Sequence, residues 1–239
     1  MFDYGCIVCG TELEYLEHDI NMCCSVCGKT FQTNVRCRNK HFVCDDCHQA
    51  EGADYIETYC LSSTETNPVI LINTIMKNPK IKMHGPEHHF LVPAVLLTVF
   101  YNAAGDHAVL GGKLAVARKR AQVIPGGFCG FYGNCGAGVG TGIFMSIITD
   151  ATPLSTDAWR LSNLMTARSL ENIACHGGPR CCKRDSFLAL ESAVQFFREN
   201  MGVNLPMDTI VCGFSAKNRD CKKQDCVFFD FKKVRLSHS

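Results

Sequence analysis

The sequence predicts a mainly α protein, in which a small zinc-ribbon or RING-like module of CxxC motifs precedes a helical, cysteine-rich domain. Of the 17 cysteines in 239 residues, nine lie within the first 60 residues and eight lie after residue 128. Apolar residues recur at helical spacing in the later part of the chain, whereas a short module without much core needs a metal to stabilise it. We therefore expect a zinc-binding module at residues 1–55 and a helical domain with a metal or iron–sulfur site at residues 56–239.

The N-terminal cysteines form closely spaced pairs that are typical of zinc ligands. A tight turn between the two members of a CxxC pair points both thiolates at one ion. Eight ligands are enough for two tetrahedral zinc ions, and four protein ligands per ion leave no open position, which predicts a structural role. The expected ligands are Cys6, Cys9, Cys24, Cys27, Cys37, His41, Cys44 and Cys47.

Two ways of pairing these ligands stay open. Sequential pairing puts the first four on one zinc ion and the last four on the other. A cross-braced arrangement, as in RING domains, is the alternative, and HFVCDDC resembles the end of a RING motif. Cys23 or His48 could replace a neighbouring ligand in either case.

The second part of the chain predicts five helices, after a cysteine-free connection over residues 61–82 that includes one short apolar helix. The first begins at HGPEHH, where Gly85 and Pro86 are typical of a helix start. Pro93 lies inside it and is expected to free the carbonyl of His89 and kink the helix. The expected spans are 84–102, 108–124, 137–150, 156–174 and 184–200, followed by a short strand at 209–215.

Glycine is concentrated around two cysteines in PGGFCGFYGNCGAGVGTG, residues 125–142. Cys135 directly precedes a predicted helix, whose positive end would lower the thiol pKa. This makes Cys135 the expected reactive thiolate, with Cys129 beside it. Close packing between helices, which needs small residues four apart, is the alternative explanation of the glycines. The stretch lacks the Gly-Lys-Ser/Thr ending of a P-loop and the strand and acidic residue that accompany a dinucleotide-binding loop.

HGPEHH offers two further interpretations. His84 and His88 are four residues apart, with Glu87 next to them, and could share a helix face as metal ligands or as an acid–base pair. Hydrogen-bonded core histidines are the alternative. The candidate catalytic residues are therefore Cys135, Cys129, His84, Glu87 and His88.

The remaining cysteines lie in CHGGPRCCKRD and near the C-terminus. Arg180, Lys183 and Arg184 would favour thiolates in the first motif; alternatively, Lys183 and Arg184 merely start an exposed helix. Ligation by cysteine alone suits an iron–sulfur cluster or zinc, although the spacing matches neither common ferredoxin pattern. The candidate cofactor ligands are Cys175, Cys181, Cys182, Cys212, Cys221 and Cys226.

Three of these motifs together carry a resemblance. HGPEHHFLVPAVLL, IPGGFCGFYGNCGAGVGTGIF and GPRCCKRD resemble the signature of a cysteine-rich domain family of unknown function from anaerobic bacteria and archaea, over roughly residues 1–228. Some members of that family are attached to S-adenosylmethionine-dependent methyltransferase domains, and the CxxC module resembles their zinc-binding leader. The resemblance implies no established activity. A methyltransferase or sulfur-transfer protein is the expected partner enzyme.

Composition narrows the function classes. A formal net charge of +1 gives no overall attraction to nucleic acid or membranes. The start of the chain lacks the features of a signal peptide and the apolar stretches are too short to span a bilayer, so we expect a cytoplasmic protein, from an anaerobic host given so many thiols.

Two functions from different classes fit these observations. The first is a metalloprotein for anaerobic sulfur, redox or methyl-group chemistry. The alternative is a non-enzymatic zinc-binding interaction protein, or an accessory protein that delivers metal or sulfur. Basic residues at Arg118–Arg120 and Lys217–Arg235 motivate a protein or nucleic-acid partner for this alternative, whereas a basic run near a C-terminus is more often only a solvated face or tail.

Overall fold

More than half of the described residues lie in helices in a computed structural model, which confirms the mainly α prediction. The structure describes residues 5–231, apart from residues 7 and 10 and the side chain of residue 49. The chain divides into two units, residues 1–51 and residues 52–239. Among the described residues, no helix is long and apolar enough to cross a membrane.

The first unit contains an antiparallel hairpin that the sequence did not predict. Strand β1 spans Leu13–Cys23 and strand β2 spans Thr30–Cys37. Leu13 pairs with Cys37 at one end of the hairpin, and Cys23 pairs with Thr30 at the other. The hairpin therefore has a cysteine-bearing segment at each end.

Helix α1, Asp45–Ser62, begins in the first unit and continues into the second. No helix was predicted here, because a domain boundary was expected within this stretch. Ala53, Ile56 and Cys60 are buried at a spacing of three and four residues, which is the signal that could have identified it.

The second unit is a bundle built around the apolar helix α3. The predicted apolar helix of the connection is α2, where the Asn67 side chain accepts a hydrogen bond from the Val69 N–H at 3.0 Å. All five predicted helices are present, whereas the strand expected at 209–215 is wrong. The helices after α1 are α2 (Pro68–Met76), α3 (Glu87–Ala104), α4 (Leu110–Ala121), α5 (Phe128–Phe131), α6 (Gly136–Ile148), α7 (Asp157–Cys175) and α8 (Cys182–Met201).

An aromatic cluster joins three of these helices in the core. Phe100 of α3 meets Phe144 of α6 and Phe197 of α8 edge-on, with ring centroids 6.1 and 5.7 Å apart. Phe144 and Phe197 are themselves 5.3 Å apart and fully buried. These contacts pack the later parts of α3, α6 and α8 against one another in the core.

The glycines of α6 let it approach two helices closely. A Cβ atom added to Gly140 would lie 2.8 Å from the Cδ of Pro93 and 3.1 Å from the carbonyl oxygen of His89, both on α3. A Cβ on Gly138 would lie 2.8 Å from the side chain of Leu170 on α7. The close-packing explanation of the glycine pattern therefore applies to both of these faces.

Gly140→Ala is expected to destabilise the protein by about 1–3 kcal/mol, because the extra carbon collides with the backbone and the proline ring of α3. Gly112→Ala on α4 is the matched control, since a Cβ there meets nothing within 4 Å. The control should stabilise the helix by about 0.5–1 kcal/mol. Urea unfolding followed by the fluorescence of Trp159, the single tryptophan, measures both changes. If both variants changed the free energy of unfolding in the same direction, the packing account would be contradicted.

Candidate metal centres

One group of four metal-ligand side chains lies at the open end of the hairpin. Cys6, Cys9, Cys37 and His41 have ligand atoms that all lie within 4.8 Å of one another. The Nδ1 atom of His41 is 3.2 Å from the sulfur of Cys9, and the sulfurs of Cys9 and Cys37 are 3.8 Å apart. In a tetrahedral site with metal–sulfur bonds of about 2.3 Å, the sulfurs are about 3.8 Å apart, so this group could hold a metal ion.

A second group lies at the turn of the hairpin. It consists of Cys24, Cys27, Cys44 and Cys47, whose sulfurs also lie within 4.8 Å of one another. The sulfurs of Cys27 and Cys44 are 3.8 Å apart. Cys24 accepts hydrogen bonds from the backbone N–H groups of Val26 at 3.5 Å and Cys44 at 3.3 Å. This group could hold a second metal ion.

The grouping is cross-braced, because the first and third ligand pairs share one group and the second and fourth share the other. Sequential pairing fails for a geometric reason. Cys9 and Cys24 lie beyond opposite ends of the 11-residue strand β1, which at about 3.3 Å per residue separates them by roughly 30 Å. The antiparallel return of β2 instead brings Cys37 next to the segment before β1. Cys23 and His48 belong to neither group.

The thiols within each group have opposing pKa shifts. A hydrogen bond with Thr11 lowers the pKa of Cys9 to about 6, whereas burial raises that of Cys6. Burial also raises the pKa of Cys47 to about 12. Closely spaced thiolates repel one another, so a divalent cation is what would allow all of them to lose their protons.

Four further cysteines line one pocket in the second unit: Cys181, Cys212, Cys221 and Cys226. Cys181 is the N-cap residue of α8, and the other three lie in the segment that follows this helix. The N–H of Cys212 donates to the carbonyl of Phe228 at 2.7 Å, which folds this segment back on itself. Four of the six candidate cofactor ligands therefore meet at a single pocket.

Asn218 connects this pocket to the start of α3. Its side-chain nitrogen donates to the sulfur of Cys181 at 3.5 Å, and its oxygen lies 3.3 Å from Nε2 of His84. Asn218 is buried, with 7% of its surface exposed. The sequence analysis missed it, because a single asparagine in an irregular segment has no motif.

Two of the predicted cofactor ligands lie elsewhere. Cys175 is exposed at the end of α7, and neither it nor Cys182 lines the pocket. Lys183 and Arg184 do not start an exposed helix: they are 1% and 5% exposed. Arg184 donates to the carboxylate of Asp185 at 3.1 Å and to the carbonyl of Gly177 at 2.7 Å, which fixes the turn before α8.

The predicted low pKa of Cys135 is wrong. Cys135 does cap α6, and the N–H groups of Ala137 and Gly138 favour its thiolate. Burial and the nearby carboxyl of Asp185, whose oxygen lies 3.9 Å from the sulfur, outweigh them and raise the pKa to about 12. Cys135 is therefore a neutral thiol at pH 7 in this environment.

HGPEHH does not form one helical face. His84 lies before α3, which begins at Glu87, so His84 and His88 do not share a turn. His88 is buried with its Nδ1 atom 3.1 Å from the carbonyl oxygen of Gly85, and burial lowers its pKa well below the usual value. Glu87 accepts a hydrogen bond from the N–H of Lys82 at 2.8 Å, and burial raises its pKa to about 7.

Glu87 predicts a pH dependence of stability. Because its pKa is raised from 4.5 to about 7, its contribution is fully present below pH 4.5 and is lost as the pH rises through 7. Glu87→Gln keeps the acceptor for Lys82 but cannot ionise. The free energy of unfolding of the wild-type protein should fall by about 3 kcal/mol between pH 5 and 8, and Glu87→Gln should not show this fall. Urea unfolding at each pH, followed by Trp159 fluorescence, checks this, and identical pH profiles for the two proteins would refute it.

The basic residues expected to favour nucleic acid are only partly available. Arg118 donates to the carboxylates of Asp54 and Glu57 at 2.5 and 2.6 Å. The last residues of the basic stretch Lys217–Arg235 lie outside the described part of the chain. Arg118 is thus occupied in an ion pair with α1.

Residues 56–229 match the model of a family of unknown function, DUF5714. The chain belongs to this family. The DUF5714 region contains the pocket with its four thiols and the HGPEHH and glycine-rich motifs, but none of the eight N-terminal ligands. No curated protein and no solved structure matches the chain. Membership of DUF5714 agrees with the expected cysteine-rich family of unknown function.

Proposed function

We propose that this protein is a metalloprotein with two structural zinc ions in its first unit and a metal–thiolate centre for chemistry in its second. Thiolate and imidazole are the ligands that zinc prefers, and both N-terminal groups supply four of them. Four protein ligands leave no open position, so these two ions stabilise the hairpin rather than bind substrate.

The observation that carries the second centre is the convergence of four cysteines on one pocket. Two stretches of chain contribute them, the start of α8 and the segment folded back after it. None of the 17 cysteines is in a disulfide. Burial raises the pKa of Cys181 to about 11 and also raises that of Cys212, so a bound metal is what would keep these thiols ionised.

The chemistry that fits a cysteine-only centre is redox, sulfur or methyl-group chemistry. Free thiols in this number are an oxidation liability, which favours an anaerobic cytoplasm. His84, held by Asn218 at the edge of the centre, could bind or release a proton there. A methyltransferase or sulfur-transfer enzyme is the partner that we propose, in line with the family resemblance.

Chelator-dependent alkylation tests the metal–thiolate centre. Full-length protein prepared without oxygen is treated with iodoacetamide before and after metal removal, and each cysteine is quantified by peptide mass spectrometry. The pocket cysteines should become alkylated only after metal removal, whereas the exposed Cys175 should react at once. Equal rates before and after metal removal at all four pocket cysteines would overturn the proposal.

A delivery role is a second candidate, favoured by the exposed side chains around Cys129. Phe131 and Tyr132 are 56% and 68% exposed in the glycine-rich segment next to this half-buried thiol. Exposed aromatic side chains are common in surfaces that bind other proteins. A low-molecular-weight persulfide can pass its outer, sulfane sulfur to the Cys129 thiolate and leave as a thiol. Persulfide on Cys129 after incubation with such a donor, absent in Cys129→Ser, would support delivery, and no transferable sulfur would exclude it.

A further inference from the structure

The sulfur environments in the pocket resemble that of an N-terminal metal ligand. Cys212 accepts a hydrogen bond from the N–H of Phe214 at 3.4 Å, and Cys221 from the N–H of Lys223 at 3.3 Å. In both, the donor lies two residues after the cysteine, as Val26 does for Cys24. Such N–H donors stabilise thiolates and orient them towards a metal. Two of the pocket cysteines therefore lie in turns of the kind used by a ligand of the second N-terminal group.

The spacing of the pocket sulfurs differs from that of the N-terminal groups. In the described part of the chain, three or more ligand atoms lie within 4.8 Å of one another only in the two N-terminal groups. The four pocket sulfurs are therefore spread more widely than the edges of about 3.8 Å that a single tetrahedral zinc requires. They surround a cavity instead, which suits a centre larger than one ion.

The pocket walls suit a negatively charged, water-sensitive group. Arg184 and Lys222 line the pocket together with one acidic residue, Asp220, and Arg184 is also paired with Asp185 at 3.1 Å. Phe214 and Phe228 are buried apolar walls. The ammonium group of Lys183 lies 5.1 Å from the centre of the Phe214 ring. Basic residues compensate the negative charge of a thiolate-ligated cluster, and apolar walls and N–H···S bonds tune its reduction potential.

We propose that Cys181, Cys212, Cys221 and Cys226 hold a 4Fe–4S cluster in this pocket. This rests on the proposed function, because it names the cofactor and the ligands of that same metal–thiolate centre. Four cysteine thiolates are the ordinary ligand set of such a cluster. The cluster supplies one-electron chemistry, while the chain supplies the ligands, the N–H···S bonds and the basic residues around them.

Reconstitution of the full-length chain tests the cluster. The protein is incubated without oxygen with ferrous iron and sulfide, freed of excess reagent, and analysed for iron, labile sulfide and visible absorbance. About four iron and four sulfide per chain are expected. Each single change to alanine at a pocket cysteine should lower the iron content by more than half. Cys175→Ala and Cys129→Ala should leave it unchanged, because these residues do not line the pocket.

Three results overturn the cluster. One is iron loss in Cys135→Ala and Cys182→Ala but not in the pocket variants. Another is a zinc ion bound by the same four cysteines; this leaves the proposed metal–thiolate centre intact, since chelator-dependent alkylation would still be seen. The third is no iron above the background of a variant that lacks all four cysteines. Where a variant fails to fold, as judged by circular dichroism, electron paramagnetic resonance of the reduced wild-type protein decides, because a reduced 4Fe–4S cluster is paramagnetic and zinc is silent.

Discussion

Replacing Cys6 and Cys24 together by serine is expected to remove both zinc ions, whereas replacing Cys6 and Cys37 together should remove only one. Cys6 and Cys37 belong to one of the cross-braced groups and Cys24 belongs to the other. Structural zinc contributes about 10–16 kcal/mol to the folding of small zinc domains. The variant without either ion should therefore lose the hairpin, which is the largest effect that we predict.

Zinc content per chain, measured by mass spectrometry of the purified full-length variants, checks this pairing. Sequential pairing predicts the reverse pattern, with one ion lost from Cys6→Ser/Cys24→Ser and two from Cys6→Ser/Cys37→Ser. Cys23→Ser is the matched control. Cys23 is exposed and belongs to neither group, so this variant should keep both ions.

Arg184→Met is expected to destabilise the second unit by about 3–5 kcal/mol. Removing one partner of a buried ion pair leaves the other charge buried without compensation. Arg184 and Asp185 are 5% and 4% exposed. Burial raises the pKa of Asp185 although Arg184 lies beside it, so desolvation opposes the attraction between the two charges. The change would also remove the donor to the carbonyls of Gly177 and Pro179.

The double variant Arg184→Met/Asp185→Leu separates these effects. Apolar replacement of a whole buried ion pair is often close to neutral, so the double variant should be more stable than Arg184→Met alone. The control is Arg168→Met, which breaks the more exposed pair with Glu199. Such a pair contributes about 1 kcal/mol or less. Urea unfolding followed by Trp159 fluorescence gives all three values. Equal losses in Arg184→Met and the control would contradict the buried-pair account.

The helices other than α1 and α5, and the members of the two N-terminal ligand groups, could be predicted from local sequence. Helix periodicity depends on neighbouring residues, and the ligand pairs lie within tight turns. The pairing of those ligands could not be predicted, because it depends on the register of the β1–β2 hairpin, which joins Leu13 to Cys37. Strand β1 alternates only between half-buried and exposed residues and has no fully buried one, so no strongly apolar face marks it in the sequence.

The sequence does not reveal which polar and thiol side chains of the second unit are buried. The helix-start effect on Cys135 was inferred correctly in sign, but packing of α6 buries this thiol, and burial dominates. Lys183 and Arg184 have the composition of an exposed helix start, yet they lie under the segment that folds back after α8. Because this segment folds back, four of the six candidate thiols line one pocket. The fold-back depends on contacts between residues far apart in sequence, which the sequence pattern does not show.

The metal and labile-sulfide content of the full-length protein, prepared without oxygen and reconstituted with iron and sulfide, tests the central claim most directly. The two N-terminal groups predict two zinc ions per chain. The pocket predicts about four iron and four sulfide in addition. A chain that contains two zinc ions, with no further metal and no sulfide, would contradict the claim that the second unit carries a metal–thiolate centre.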